Sequence, residues 1–285
     1  MFLRYPLVAL LATLAPASSQ APAAAVKAVP PSPIVSMEWL NAHLNDPGVA
    51  ILDADGDKAS YRRAHIPKAG LLGHMETLRD GHRAAPLDVL AGLFGAAGAR
   101  DDARIILYGS DAMSVGWMFG LFASLGHADH VSVLDGNLDA WRAAAYPVAT
   151  GDPAATAGTL SVKRPASPVI VDGPWVREHL QDRAIKLADV RTPDEWKRGM
   201  IPGAAKLRWQ DFYTNVQQGR FKSPEQIRQV FEASGLGGAT VVTYCAVGMR
   251  ASLAYFAARA AGLPVLLYQG SMNDWKARPG YPLKR

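Results

Sequence analysis

The chain has 285 residues and a net charge of +5, from 30 Lys and Arg against 25 Asp and Glu. This length gives room for two ordinary domains with full cores. The basic residues are scattered and no nucleic-acid-binding motif occurs, so we expect no nucleic-acid partner. The seven histidines are dispersed and the chain has a single cysteine, so we expect no metal site and no cofactor.

The first 17 residues predict export from the cytoplasm. Arg4 precedes an apolar run from Leu7 to Leu14, and Ala15-Pro16-Ala17 supplies the small residues of a cleavage site. The run is shorter than the roughly 20 residues of a membrane span. We therefore expect a signal peptide over 1–17, a flexible leader over 18–33 and a periplasmic protein without a membrane span. An anchor retained after export is the alternative.

Two halves of the sequence follow one plan. Five residues of the first half recur 136 positions later: Trp39, His43, Leu44, Asp46 and Asp53 return as Trp175, His179, Leu180, Asp182 and Asp189. A long period with two copies indicates duplicated domains, since solenoid repeats are several times shorter. The pattern predicts a first domain over 34–149, an exposed linker rich in Gly, Pro, Ala and Thr over 150–167, and a second domain over 168–285.

Helix and strand patterns alternate along each copy. In the first, a helical "MEWLNAHLN" leads to a strand "VAILDA", a turn at Ile-Pro, a helix, and a strand "RIILYG". A helix "VGWMFGLFASLG", a strand "VSVLD" and a short helix bearing a tryptophan complete it. Short apolar strands separated by helices predict an α/β fold, with a parallel sheet covered by helices on both faces.

The single cysteine stands where such a sheet binds ligands. In the second copy a strand "TVVTY" is followed by a turn "CAVGMR", residues 245–250, and a helix "ASLAYFAARAAG" that Gly262 ends. Ligands of parallel sheets bind at the carboxyl ends of strands, which is the position of Cys245. Small Ala246 and Gly248 let backbone N–H groups converge on an anion, the helix N-terminus adds positive charge, and Arg250 adds a cation. The turn therefore favours an anionic sulfur, either a thiolate or a persulfide.

An inert, buried cysteine is the alternative interpretation. The first copy argues against it, because the equivalent turn "YGSDAMS" has Gly109 in place of the thiol and Ser114 in place of the arginine. A structural cysteine gives no reason for a cationic turn to accompany it in one copy alone. No signature of a cysteine protease surrounds Cys245.

These motifs resemble those of the tandem-domain rhodaneses, the thiosulfate and 3-mercaptopyruvate sulfurtransferases. The resemblance rests on the two copies, on Cys-x-x-Gly-x-Arg after "VVTY", and on "DVRTPDEWKRGMIPGA", "GRFKSPEQIRQVFEASGL" and "YQGSMNDW", and it runs from about Ile34 to the C-terminus. It implies a non-catalytic first domain and a catalytic second one. It also implies that Cys245 is the nucleophile, that Arg191 and Arg250 hold the donor, and that the turn amides bind the sulfur; the turn residues are Ala246, Val247, Gly248 and Met249.

The implied reaction moves a sulfane sulfur from thiosulfate, or a related small anionic donor, to cyanide or a thiol through a persulfide. 3-Mercaptopyruvate is the alternative donor, and a periplasmic persulfide carrier or redox module without turnover is the alternative function. A phosphatase is disfavoured, because four residues separate Cys245 from Arg250 where phosphatase loops have five. The turn matches neither sulfurtransferase subtype, and Glu195 stands where some members have a second arginine. We expect a monomer, since the two copies bury each other's faces.

Overall fold

The computed structural model describes residues 33–79, 83–165 and 168–284. The expected signal peptide over 1–17 and all but the last residue of the expected leader over 18–33 lie outside the described residues. Within the described ranges, no helix is both long enough and apolar enough to cross a membrane.

The first copy folds around a parallel sheet of five strands in the order β1-β7-β6-β2-β3. Its strands are β1 (Ile34–Val35), β2 (Val49–Asp53), β3 (Gly70–Leu71), β4 (Leu78–Arg79), β5 (Arg83–Ala84), β6 (Arg104–Tyr108) and β7 (Val131–Leu134). Its helices are α1 (Met37–Ala42), α2 (Lys58–Arg63), α3 (Leu87–Ala96), α4 (Ala112–Ser124) and α5 (Leu138–Ala143), with 3₁₀ turns at His74–Thr77 and Ala128–His130. Strands β4 and β5 form a separate antiparallel pair.

The second copy repeats this arrangement, with the sheet order β10-β9-β13-β14-β8 and parallel pairing throughout. Its strands are β8 (Ile170–Val171), β9 (Ile185–Asp189), β10 (Ala205–Lys206), β11 (Tyr213–Asn215), β12 (Arg220–Phe221), β13 (Thr240–Tyr244) and β14 (Val265–Tyr268). Its helices are α6 (Gly173–Glu178), α7 (Pro193–Lys197), α8 (Pro224–Ala233), α9 (Met249–Ala260) and α10 (Ser271–Ala277), with a 3₁₀ turn at Trp209–Phe212. The duplicated α/β fold predicted from the sequence is confirmed.

Helix boundaries follow the local capping residues. On α7 and α8, Thr192 with Glu195 and Ser223 with Gln226 form capping boxes, in which each side chain bonds the other residue's backbone N–H. Helix α9 begins at Met249, two residues earlier than the predicted helix. The prediction treated the whole of 245–250 as a turn, whereas a left-handed glycine ends the turn sooner and places residue 250 in the first helical turn.

The two copies pack through α4 and α9. A Cβ atom on Gly116 of α4 would lie 2.5 Å from the Cα of Leu253 on α9, so glycine is required for the two helix backbones to approach this closely. Beside this contact the rings of Phe119 and Phe256 meet edge to face, with centroids 4.8 Å apart. One hydrophobic core therefore extends across both copies.

The linker lies against the first domain rather than free in solvent. Leu160 is 6% exposed. The amide of Gly158 donates to the carbonyl of Gly95 at 2.8 Å, and that of Lys163 donates to the carbonyl of Leu125 at 2.9 Å. The Gly- and Pro-rich composition did not show that these backbone groups bond to the neighbouring domain.

The close helix contact gives a test with an internal control. Gly116→Ala raises helix propensity but inserts a methyl group against the α9 backbone, so we expect a loss of about 1–3 kcal/mol in the free energy of unfolding. Gly92 lies in α3, is exposed, and has open space around its Cβ position. We expect Gly92→Ala to add about 0.5–1 kcal/mol. Denaturant unfolding of both variants measures the difference, and equal shifts would contradict the tight packing of α4 on α9.

Candidate active site

Cys245 directly follows β13, the central strand of the second sheet. Its sulfur accepts a hydrogen bond from the amide of Gly248, with Sγ and N 3.1 Å apart. Its own amide donates to the hydroxyl of Ser271 at 3.0 Å, and its carbonyl accepts from the amide of Met272 at 3.0 Å. The cysteine is 1% exposed, while Ala246 and the residue after it are half-buried. The thiol therefore lies just beneath the loop that holds it.

Gly248 determines the shape of this loop. Its φ angle is 99°, a left-handed conformation that strains any residue with a side chain. A Cβ atom there would also lie 2.6 Å from the carbonyl oxygen of Gln269. This conformation directs the Gly248 amide back to the sulfur three residues earlier. Of the turn amides expected to bind sulfur, Gly248 is the one that the structure places at hydrogen-bond distance.

Arg250 and Glu195 form an ion pair beside the thiol. The two terminal nitrogens of Arg250 donate to the two carboxylate oxygens at 2.7 and 2.9 Å. Hydrogen bonds from Arg250 and, to a smaller extent, from Thr192 outweigh burial and together lower the pKa of Glu195 to about 2. Hydrogen bonding to Glu195 raises the pKa of Arg250, burial opposes the rise, and the nearby sulfur of Cys245 adds to it. The guanidinium therefore bonds the carboxylate of Glu195 and also interacts with the sulfur.

Arg191 is placed differently from Arg250. Its Nε and one terminal nitrogen donate to the carboxylate of Asp189 at 2.8 and 2.6 Å, and the guanidinium also donates to the carbonyls of Glu195 and Gly199 at 3.3 and 2.7 Å. Its side chain is 3% exposed. Tyr244 donates to the same Asp189 carboxylate at 2.8 Å. The structure thus brings Cys245, its turn and Arg250 together, and it commits Arg191 to a buried network.

The first copy shows what happens when this arginine is absent. Asp53 of the first copy is equivalent to Asp189 of the second. Two residues later the first copy has Asp55, at the position where the second copy has Arg191. Burial raises the pKa of Asp53 to about 6. In the second copy the equivalent carboxylate, Asp189, is bonded by the guanidinium of Arg191.

Asp55 also fills the loop that corresponds to the cysteine turn. The amide of Ser110 donates to both of its carboxylate oxygens at 2.9 and 2.7 Å, and the amide of Asp111 donates at 3.0 Å. A Cβ atom on Gly109 would lie 2.7 Å from one of these oxygens. The loop of the first copy is thus an anion site occupied by the protein's own carboxylate. The 136-residue offset that pairs Asp55 with Arg191 could have indicated this exchange from sequence alone.

The sequence patterns did not indicate Ser271 as a site residue, nor the pairing of Glu195 with Arg250. Ser271, which bonds the Cys245 amide, has a φ of 54° and belongs to the "YQGSMNDW" segment. Glu195 was recorded as a departure from the family pattern, and its pairing with Arg250 had no local signal, because the two are 55 positions apart. Across the described ranges, no cluster of three or more His, Cys, Asp or Glu side chains could hold a metal ion.

Comparison with known proteins agrees with this geometry. The model of the rhodanese-like domain matches residues 36–144 and again 172–278. A Mycobacterium bovis protein provisionally named thiosulfate sulfurtransferase SseA is 30% identical, over 86% of this chain and 88% of its own length. The sulfur carrier protein TtuD of Thermus thermophilus is 27% identical, over 90% of this chain and 97% of its own length.

A solved structure shares the same fold. The crystal structure of SseA from Escherichia coli, described as having the rhodanese fold of 3-mercaptopyruvate sulfotransferases, superimposes with a TM-score of 0.73 at 21% identity, covering 84% of this chain and 98% of its own. The chain belongs to the rhodanese family, carries its domain twice, and is a sulfurtransferase.

The role of Arg191 can be tested by removing it. Arg191→Ala leaves the Asp189 carboxylate buried without its cation, so we expect a loss of about 3–5 kcal/mol in the free energy of unfolding. Arg198→Ala, at an exposed position nearby, should leave the unfolding midpoint unchanged. Unfolding curves and donor KM are measured together. A stable Arg191→Ala protein with a large rise in KM would show instead that Arg191 binds the donor.

Proposed function

We propose that the chain transfers a sulfane sulfur from a small anionic donor, thiosulfate or 3-mercaptopyruvate, to cyanide or a thiol through a persulfide on Cys245. The thiolate attacks the outer sulfur of thiosulfate, the S–S bond of the donor breaks, and sulfite leaves with the bonding electron pair. With 3-mercaptopyruvate the C–S bond breaks instead, and the departing enolate takes up a proton to give pyruvate. The acceptor then attacks the outer sulfur of the persulfide and restores the thiolate.

The observation that carries this proposal is the hydrogen bond from the Gly248 amide to the sulfur. A backbone N–H aimed at sulfur stabilises the negative charge that both the thiolate and the persulfide carry. The left-handed conformation of Gly248 directs this N–H at the sulfur, whereas a cysteine with a purely structural role does not require a backbone donor. Arg250, within its ion pair with Glu195, also interacts electrostatically with the sulfur.

The first copy supports the same reading of the turn. Its equivalent loop uses two consecutive amides to bind a carboxylate. A loop of this family shape therefore binds an anion even where the cysteine is missing. In the second copy the residue equivalent to Asp55 is Arg191, which pairs with Asp189 instead of bonding the loop, and the Gly248 amide of the loop donates to the sulfur of Cys245.

A persulfide carrier is the second candidate, and the burial of the thiol favours it. Cys245 is 1% exposed, so a donor can contact its sulfur only after the half-buried loop residues that cover it move. A relative named as a sulfur carrier protein matches over most of its length. Turnover separates the two: a carrier loads sulfur and holds it, with slow release to cyanide, whereas an enzyme releases thiocyanate at each cycle.

Loading of sulfur on Cys245 is the direct test. After incubation with either donor, intact-protein mass spectrometry should show a gain of one sulfur atom, and cyanide should remove it as thiocyanate. Cys245→Ser should fail to gain sulfur and should lose thiocyanate formation by roughly a thousandfold or more. Its unfolding midpoint serves as the control for folding. Turnover retained by Cys245→Ser would exclude the persulfide mechanism.

We further propose that the protein is exported to the periplasm by residues 1–17. The charged start, the short apolar run and the small residues after it support this proposal. Expressed with residues 1–17 present, the protein should appear in the periplasmic fraction with these residues removed, and deletion of 1–17 should retain it in the cytoplasm. N-terminal sequencing and cell fractionation measure both. Full-length protein in the cytoplasmic fraction would contradict export.

A further inference from the structure

The charge balance beside the thiol bears on which donors it can accept. Arg250 interacts electrostatically with the sulfur of Cys245, and both of its terminal nitrogens are already bonded to Glu195. The two side chains are 16% and 22% exposed, so water screens their charges only in part. An incoming anion therefore meets a neutral pair rather than a free guanidinium.

Glu195 is held in place independently of Arg250. The amide and hydroxyl of Thr192 each donate to its Oε2 atom at 2.9 Å, as part of the capping box that starts α7. The carboxylate cannot swing away when a donor arrives without losing these bonds as well. Since the pKa of Glu195 is about 2, it is ionised at every pH at which the protein would work.

Two further arginines near the site are also paired with carboxylates. Arg191 is compensated by Asp189. Arg278, the residue that follows α10, is compensated by Asp274 within that helix, with a closest N–O distance of 2.9 Å. Repulsion from a fixed carboxylate grows with the charge on the incoming anion. Thiosulfate carries two negative charges at neutral pH, whereas 3-mercaptopyruvate carries one outside its thiol.

We propose that Glu195 is a specificity-determining residue: by neutralising Arg250 at the thiol, it selects singly charged sulfur donors over doubly charged ones. This inference rests on the proposed persulfide chemistry at Cys245. It identifies the natural donor by chemical class, as a molecule with no more than one negative charge beside its transferable sulfur.

The test uses Glu195→Gln, which removes the charge and keeps the shape. Glutamine serves in a capping box, as Gln226 does on α8 of this same chain, so α7 should keep its start. Asp194→Asn is the matched control, because it makes the same charge change on the same helix at an exposed side chain paired with Lys197. For each protein, kcat/KM is measured with thiosulfate and with 3-mercaptopyruvate, and sulfur loading of Cys245 is read by mass spectrometry.

We expect Glu195→Gln to raise kcat/KM for thiosulfate roughly tenfold and that for 3-mercaptopyruvate by no more than about threefold, since the repulsion removed is greater for the dianion. Asp194→Asn should leave the ratio of the two donors unchanged. Added salt should narrow the gap between wild type and Glu195→Gln with thiosulfate. An unchanged donor ratio, or an equal fall with both donors, would overturn the inference while sulfur still loads on Cys245. If neither donor loads sulfur onto Cys245 in the wild type or in the two variants, the proposed function is refuted, and the inference with it.

Discussion

The site depends on one hydrogen bond, from the amide of Gly248 to the sulfur of Cys245. That bond requires a left-handed residue at position 248, and the carbonyl of Gln269 leaves no room there for a side chain. The same residue ends the turn and starts α9, so the sulfur, the helix N-terminus and Arg250 are positioned together. Strand β13 fixes the other end of the turn, because its neighbours on both sides hold it at the centre of the sheet.

Comparison of the two copies separates what the fold needs from what the chemistry needs. Both keep the sheet order, the buried aspartate at the end of the second strand, and a tyrosine at the end of the central strand. They differ in what the loop amides bond: in the first copy they donate to the carboxylate of Asp55, and in the second the amide of Gly248 donates to the sulfur of Cys245. The exchange of Asp55 for Arg191 accompanies this difference. Asp55 bonds the loop amides of the first copy, whereas Arg191 pairs with the buried Asp189 and leaves the loop amides of the second copy unbonded by this residue.

Sequence patterns predicted the fold well, because they reflect local and periodic constraints. The repeat, the alternation of helices with short apolar strands and the position of Cys245 after a strand all follow from chain-local signals. The start of α9 was misplaced, since it depends on the backbone conformation of a single glycine. The pairing of Arg250 with Glu195 could not be predicted, because the two residues are 55 positions apart and only the tertiary structure brings them together.

Crystallography of donor-treated protein tests the central claim most directly, which is that the turn of the second copy holds an anionic sulfur. The account predicts one additional sulfur atom on Cys245, within hydrogen-bond distance of backbone amides between residues 246 and 249. An unmodified thiol after exposure to both donors, or an added sulfur directed away from those amides, would contradict it.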